Sequence, residues 1–472
     1  MTKRAVALVA ALATVYAAMW GLARWRPFEH NRAAIEWPEN VAPLVTYLEE
    51  ISELQFREPI NFEFIAQVTE YSDRVRDPAP ELSVSALAAS DVDEAIGRAL
   101  GLWTGDASLV ETLETVNSAS PRPVRWLPDD NLVIVNARDA ESFLPASTRA
   151  DLLVYLTQAL IDQNFGIVER LRATATSQEY DAIAALHLGY ALWVHDEYVA
   201  DLGDSDQQSY EYQTRTQSER YSDEVASVPA TFRAIRIAFQ VLAPTFITAL
   251  IEQDPALVVQ AFAGDFPDAL DQISLPTAKY VHDDPVEAVD SPPGPRGASI
   301  HYSEQLGPFR LFLMFTTGLP ANEALTASDG WGNDRFTAYE LNGSECIDVH
   351  IVADSPADAD RIDRAVNRWA ATRPAAAKAL VARDGVHLYA SVCDPGVDAT
   401  QAVIADNEIE QYFARADLLR QQAVDTGEPA LAECIATDFY ARFTVDQIAT
   451  NSAGVDLEAE FAAIQDDCRS TL

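Results

Sequence analysis

The feature that most restricts this chain is an uncharged run from Ala5 to Ala23, set between Thr2-Lys3-Arg4 and Arg24-Trp25-Arg26. As a helix rising about 1.5 Å per residue it spans roughly 28 Å, close to the thickness of a hydrocarbon core. Trp20 and Trp25 suit the membrane interface. A cleaved signal peptide usually has a shorter apolar stretch and a small-residue cleavage site, and neither pattern is met here. Residues 1–26 are therefore expected to be a signal-anchor transmembrane segment, with the bulk of the chain outside the cytoplasm. Two basic residues flank each end of the run, so charge alone does not orient it. The cysteines favour export. Cys346, Cys393, Cys434 and Cys468 are even in number and fall late in the chain, so two disulfides fit, with three connectivities open. Four buried free thiols are the other reading.

Charge and composition remove several function classes. Of 472 residues, 73 are acidic and 33 basic, for a net charge of -40, and the only lysines are Lys3, Lys279 and Lys378. A nucleic-acid partner is excluded by this balance, because binding one requires cations that neutralise phosphates. A hydrophobic content of 48% excludes a disordered chain. No Cys-x2-Cys pair is present for a zinc ribbon, and the seven histidines form no His-x3-His pair. No G-x-G-x-x-G, Walker A or G-x-S-x-G motif occurs.

Periodicity gives the organisation. Leu44, Leu48 and Ile51 lie at helix spacing, and 82–103 reads as a helical pair. Residues 125–135 read as a hairpin, with Pro-Asp-Asp-Asn as turn and Leu-Val-Ile-Val as strand. A helix is expected over 145–173, capped by Ser147 or by Thr148 in a capping box with Asp151. Further helices are expected over about 179–199, 229–251 and 255–262. Ser291-Pro-Pro-Gly-Pro-Arg-Gly297 is the clearest linker. Beyond it, 336–341, 346–352 and 386–393 read as strands, 355–372 as a helix, and helices return after about Thr400. The acidic stretch 201–206 reads as a solvated loop, since no glutamate closes a calcium-binding loop of EF-hand length.

Residues 148–166 read TRADLLVYLTQALIDQNFG, with a strand before them and a second helix after. Ala159-Leu-Ile-Asp-Gln-Asn-Phe165 resembles the ALQDQHF that follows the HELTH motif in a bacterial group of zincin-type zinc metallopeptidase-like proteins. Leu188-Gly189-Tyr190-Ala191 falls where that group carries EGDA. Phe266–Tyr280, with its Pro276-x-x-Lys279-Tyr280 end, and Gly330-Trp-Gly-Asn-Asp-Arg335 resemble two further motifs in the same order. The resemblance covers about residues 36–395. It implies an α+β fold: a mainly helical zincin-like domain with a small edge sheet at 27–290, a linker at 291–299, and a smaller α/β C-terminal domain at 300–472.

The departures decide what the resemblance implies about chemistry. In such enzymes two histidines at i and i+4 bind zinc, and the glutamate after the first is the general base on the metal-bound water. Those positions are Val154, Gln158 and Tyr155 here, while the third ligand falls on Leu188 and the acid after it on Tyr190. Valine and leucine have no donor atom, and an amide is a poor zinc ligand. A phenol of pKa about 10 is a poor base at neutral pH. No catalytic residue, no metal and no cofactor is therefore expected. Val154, Gln158, Ile161 and Phe165 form a mostly apolar stripe, and Ala184, Leu188 and Ala191 a second, so the two are expected to pack on each other.

Val154, Tyr155, Gln158, Asp162, Gln163, Leu188 and Tyr190 are the candidate positions of a filled or remodelled pocket. Asp162 and Gln163 are expected to satisfy neighbouring backbone. Trp331, Asp334 and Arg335 are candidates for a ligand groove or for a turn that seats the tryptophan in a core. His195 with Asp196 and Glu197 reads as a surface edge, and His187 as structural. The expectation is a pseudoenzyme at the cell envelope that binds an unknown envelope protein partner or serves as a scaffold, attached to the membrane by its N-terminal helix. The alternatives are an active hydrolase using an unorthodox metal or non-metal site in the same cleft, and a regulator of an active relative.

Overall fold

The computed structural model describes residues 35–75, 91–106, 108–119, 122–284 and 286–472. The apolar run at 5–23 lies outside these. Near the N-terminus come α1 (Ala42–Ser52), β1 (Asn61–Phe64), α2 (Val68–Val75), α3 (Asp91–Leu100) and α4 (Leu109–Ser118). The expected hairpin follows as β2 (Val124–Leu127) and β3 (Leu132–Val135), antiparallel to each other. Asn131 closes the turn in the left-handed region at φ 46°, which its short polar side chain tolerates. Periodicity does not reveal that β1 pairs parallel to β3, so that β3 is the central strand of three.

The helical half is built on α5 (Ala146–Phe165), α6 (Ile167–Arg172), α7 (Ser177–Ala200), α8 (Asp204–Glu224) and α9 (Ala230–Gln253), with the shorter α10 (Ala256–Ala263) and α11 (Leu270–Ser274). Helix α5 begins earlier than its sequence signals suggest. Pro145 is the boundary residue with no side-chain cap, so Thr148 is already inside the first turn and is buried, and the expected capping box does not form. The helix also ends before 173, because Gly166 at φ 70° breaks it and the Asp162 carboxylate accepts from Val168 N–H at 2.7 Å. Helix α7 starts with Thr176 accepting from Glu179 N–H. Helix α9 is long and apolar enough to cross a membrane, but 61% of its apolar window is buried within the fold, and it packs against α7 and the helix at 406–426. That packing accounts for its apolarity.

The second half comprises β4 (Ser299–Glu304), α12 (Gly307–Thr316), α13 (Ala321–Ser328), β5 (Trp331–Leu341), β6 (Ser344–Ala353), α14 (Pro356–Thr372), β7 (Leu380–Asp384) and β8 (His387–Cys393). Helices α15 (Asp406–Thr426), α16 (Pro429–Arg442), α17 (Val445–Ala449) and α18 (Leu457–Thr471) follow. The five strands form one antiparallel sheet in the order β4-β5-β6-β8-β7. Both edge strands, β4 and β7, escape the sequence reading. Both β4 and β7 are exposed over most of their length, so neither carries an apolar run. Disulfide Cys346–Cys393 joins residues directly opposite on β6 and β8, and Cys434–Cys468 pins α18 to α16. Of the three connectivities open to the sequence, this is the one formed.

One continuous apolar core extends from Val41 to Ala416, across the linker. Charged contacts cross with it. Arg98 on α3 makes a two-pronged pair with Asp394 beyond β8. The buried Lys279 donates to Asp284 at 2.6 Å and to Asp354 at the end of β6, with Asp271 3.9 Å away. Glu433 on α16 accepts from Thr277 N–H and Ala278 N–H at 2.7 and 2.9 Å.

Removing the cation from among three carboxylates leaves buried negative charge uncompensated. Lys279→Met is expected to lose about 3 kcal/mol or more of unfolding free energy in urea titrations. Burial lifts the carboxyls of Asp271 and Glu433 to about 7. Their unfolded counterparts titrate near about 4, so between these values the folded chain holds protons the unfolded chain has lost. Their contribution is thus present in acid and is lost as pH rises through about 7. The urea midpoint should fall between pH 5 and pH 8, and Asp271→Asn should reduce that fall.

Candidate functional site

The pair α5–α7 occupies the place of the expected metal site. Val154 is buried, while Gln158 and Leu188 are half-buried. Of the stripe expected on α7, Ala184 and Leu188 are half-buried and Ala191 is fully buried. Ile183, Leu186, His187 and Tyr190 of α7 are buried as well. His187 bonds to α5, donating from Nε2 to the Gln158 carbonyl at 2.9 Å, and meets Trp126 edge-on, while Tyr198 accepts from Arg149 of α5 at 3.0 Å. Burial lowers the pKa of His187, so the neutral ring is favoured. Gly189 sits where α7 crosses α9. A methyl group there would lie 2.5 Å from the Ala243 carbonyl oxygen, so the close crossing requires glycine.

The other candidates are dispersed. Tyr190 stacks on Trp193 and meets Phe262 edge-on, and burial raises its hydroxyl to about 12. Asp162 is engaged with Val168 N–H. The Gln163 side chain accepts from Arg57 N–H at 2.9 Å and donates to the Glu58 carbonyl. Trp331 is fully buried at the start of β5, and its indole N–H donates to Asp334 at 2.8 Å. Asp334 also accepts from Leu306 and Gly307 N–H, so its carboxylate anchors the start of α12 instead of pairing with the half-buried Arg335. Its hydrogen bonds fit the core-seating reading of this motif. His195 and Asp196 do meet, Nδ1 to Oδ1 at 2.9 Å, although neighbouring helix residues usually diverge. Asp196 also takes Arg420 at 3.0 Å. Among the described residues one group of three metal-type ligands clusters, Cys434, Asp438 and Cys468, and both sulfurs there are in a disulfide.

Near the face of α5 that carries Asp151 and Tyr155 at i and i+4, several charged side chains lie within electrostatic range of one another. Arg122 and Arg125 come from the entry and first strand of the hairpin, Arg236 from α9, and Tyr221 from α8. Arg236 lies within electrostatic reach of Arg122, Arg125, Tyr155 and Tyr221. Asp151 is within reach of Arg122 and His195. Tyr71 donates to the Arg122 carbonyl at 2.6 Å, fixing the entry to the hairpin. Arg236 is exposed, yet desolvation still lowers its pKa, as do its two arginine neighbours. Asp151 is half-buried, and desolvation raises its carboxyl.

Helix α8 packs beside α5 and contains no fully buried residue, although Tyr221 rests against the core. Polar contacts hold it. Ser147 Oγ donates to Gln213 at 2.7 Å, Arg149 pairs with Asp206, and the Tyr210 hydroxyl lies 3.3 Å from His195 Nε2. The acidic stretch expected as a loop thus ends in the first turn of α8. Sequence reading missed Arg122, Arg125, Asp151 and Arg236 as a group, because they come from three separate elements. The spacing of Asp151 and Tyr155 was the one local signal.

The molecule is a mainly helical α+β protein with an antiparallel five-stranded sheet. Residues 299–409, covering all five strands of that sheet and α12–α14, match the family model of a domain of unknown function, DUF8575. No curated protein and no solved structure matches the chain.

The α7–α9 crossing joins two core helices closely. Gly189→Ala should cost about 1–3 kcal/mol, because the added methyl overlaps backbone that cannot rotate away. Chemical denaturation of the purified variant checks this, with Ala184→Gly as a helix-propensity control that meets no such backbone.

Proposed function

We propose that this chain is a non-catalytic binding or scaffold protein on a metallopeptidase-like helical frame, held at the cell membrane by its N-terminal apolar run with the bulk outside the cytoplasm. The observation that carries the reading is the chemistry at the four motif positions. Val154 is buried without a donor atom, Leu188 has none, and Tyr155 carries only a phenol. His187 of α7 reaches α5, and its Nε2 is spent on the Gln158 carbonyl. The helix pair is joined by packing, by this bond and by Arg149 to Tyr198 at 3.0 Å, and among the described residues no set of metal-type ligands gathers at the motif positions for a tetrahedral zinc. The two disulfides fit an oxidising compartment.

Elemental analysis of the purified full chain after dialysis against zinc is the direct test. The expected result is no stoichiometric zinc and no peptidase activity on casein. One zinc per chain, removed by chelator together with peptidase activity, would overturn the reading. Fractionation of cells should place the chain with membranes, released by detergent and not by salt.

A further inference from the structure

Two histidines meet on the outer face of the five-stranded sheet. On β6 and β8 the side chains of Val349, Ile351, Leu388, Ala390 and Val392 are buried, so the alternate positions His350, His387 and Tyr389 stand on the opposite face. Both histidines are half-buried, and Tyr389 is 41% exposed. In the β6–β8 register His350 lies opposite Tyr389 and Val352 opposite His387, which makes the two histidines diagonal neighbours. His350 Nε2 is 3.2 Å from His387 Nδ1, and the Tyr389 ring stacks on His350 with centroids 4.5 Å apart.

The other nitrogen of His350 decides what this close approach can do. Its Nδ1 lies 3.4 Å from the Asp290 carbonyl oxygen, in the segment that crosses to β4. A carbonyl can only accept, so Nδ1 carries the ring proton and Nε2 presents a lone pair towards His387. Metal-ligating histidines are oriented in the same way, one nitrogen donating to a carbonyl and the other bare. Two imidazole nitrogens on one ion, each at about 2.0–2.1 Å from it, stand roughly 2.9–3.4 Å apart for angles between square and tetrahedral. The separation of 3.2 Å falls within that window. The frame is rigid as well, since both rings stand on paired strands that disulfide Cys346–Cys393 joins further along the same ladder.

We infer that His350 and His387 form a binding site for a divalent transition-metal ion, copper(II) by preference, with water in the remaining positions. Imidazole suits copper, and copper(II) stands above zinc in the order of divalent affinities. Asp384, opposite His387 on β7, places an acid on the same face, and Arg335, opposite His350 on β5, places a cation there. Among the described residues no carboxylate joins the two nitrogens in a group of three ligands within 4.8 Å. The site is therefore a two-nitrogen, exchangeable one, unlike the closed ligand set of a structural zinc. A direct N–H···N bond from His387 to His350 spans the same distance and predicts no metal affinity.

Titration of the full chain with copper(II) chloride, followed by calorimetry and by pulsed electron paramagnetic resonance, separates these. The expected result is one saturable copper(II) site whose spectrum shows coupling to the remote nitrogens of two imidazole rings. His350→Ala and His387→Ala should each weaken binding about tenfold or more, since even an outer partner of a ligand is worth that much. His282→Ala, at an exposed position, should leave it unchanged. Circular dichroism of each variant shows whether it is folded, and the two-ring coupling is read on the unaltered chain. No saturable copper(II) binding leaves a plain hydrogen bond and overturns the inference, as does binding that survives both substitutions. Zinc held as tightly as copper(II), and lost with His350→Ala, overturns the choice of ion. Zinc held at the α5–α7 pair would survive His350→Ala, so failure of the non-catalytic reading is distinguishable from failure here.

Discussion

Lys279 is the point at which the two halves of this molecule are tied. It stands in the tight turn after α11, buried, and reaches Asp284 in its own segment and Asp354 at the end of β6. Burial works against its charge, but the surrounding carboxylates outweigh burial and hold the amine protonated. Glu433 caps the same turn from α16, and close by Arg415 on α15 pairs with Asp329 at 2.6 Å. Charges in an interior are retained only where partners are supplied from several directions. Here those partners come from segments far apart in the chain, so the network forms only when helical half and sheet half are both in place.

The glycine and tryptophan motif at the start of β5 belongs to the same junction. Gly332 lies where a side chain would press within 2.9 Å of the Asp354 carboxylate, and the pairing of β5 with β6 shifts register at this point. Asp334, one step further on, gathers Trp331 and the first amides of α12. The motif therefore orders a strand, a helix and the lysine cluster together. The helices of the other half are joined by different means: the glycine crossing of α7 on α9, and the bond between His187 and α5.

Much of this was readable in the amino-acid order, for identifiable reasons. The hairpin at 124–135 declared itself through turn residues, and α7, α9 and α14 through their helical runs. What escaped depends on contacts between distant segments. Strand β1 exists because it lies beside β3, not because NFEF is a strong strand sequence. Thr148 has the chemistry of a cap, yet Pro145 had already set the start of α5. At the site, residue types told that Val154 and Leu188 could not bind metal. They did not tell that His187, one residue before Leu188, would bond to the Gln158 carbonyl of α5, because a histidine in sequence does not name its partner until the fold supplies one.

Helix α8 has one last implication. None of its side chains is fully buried, and it is constrained by polar contacts through Asp206, Tyr210 and Gln213 and by Tyr221 resting on the core. Its exposed positions away from these can be rewritten with no cavity or clash to answer for. The outer surface of this helix can thus diverge freely from one descendant of this chain to another, while the architecture beneath stays fixed.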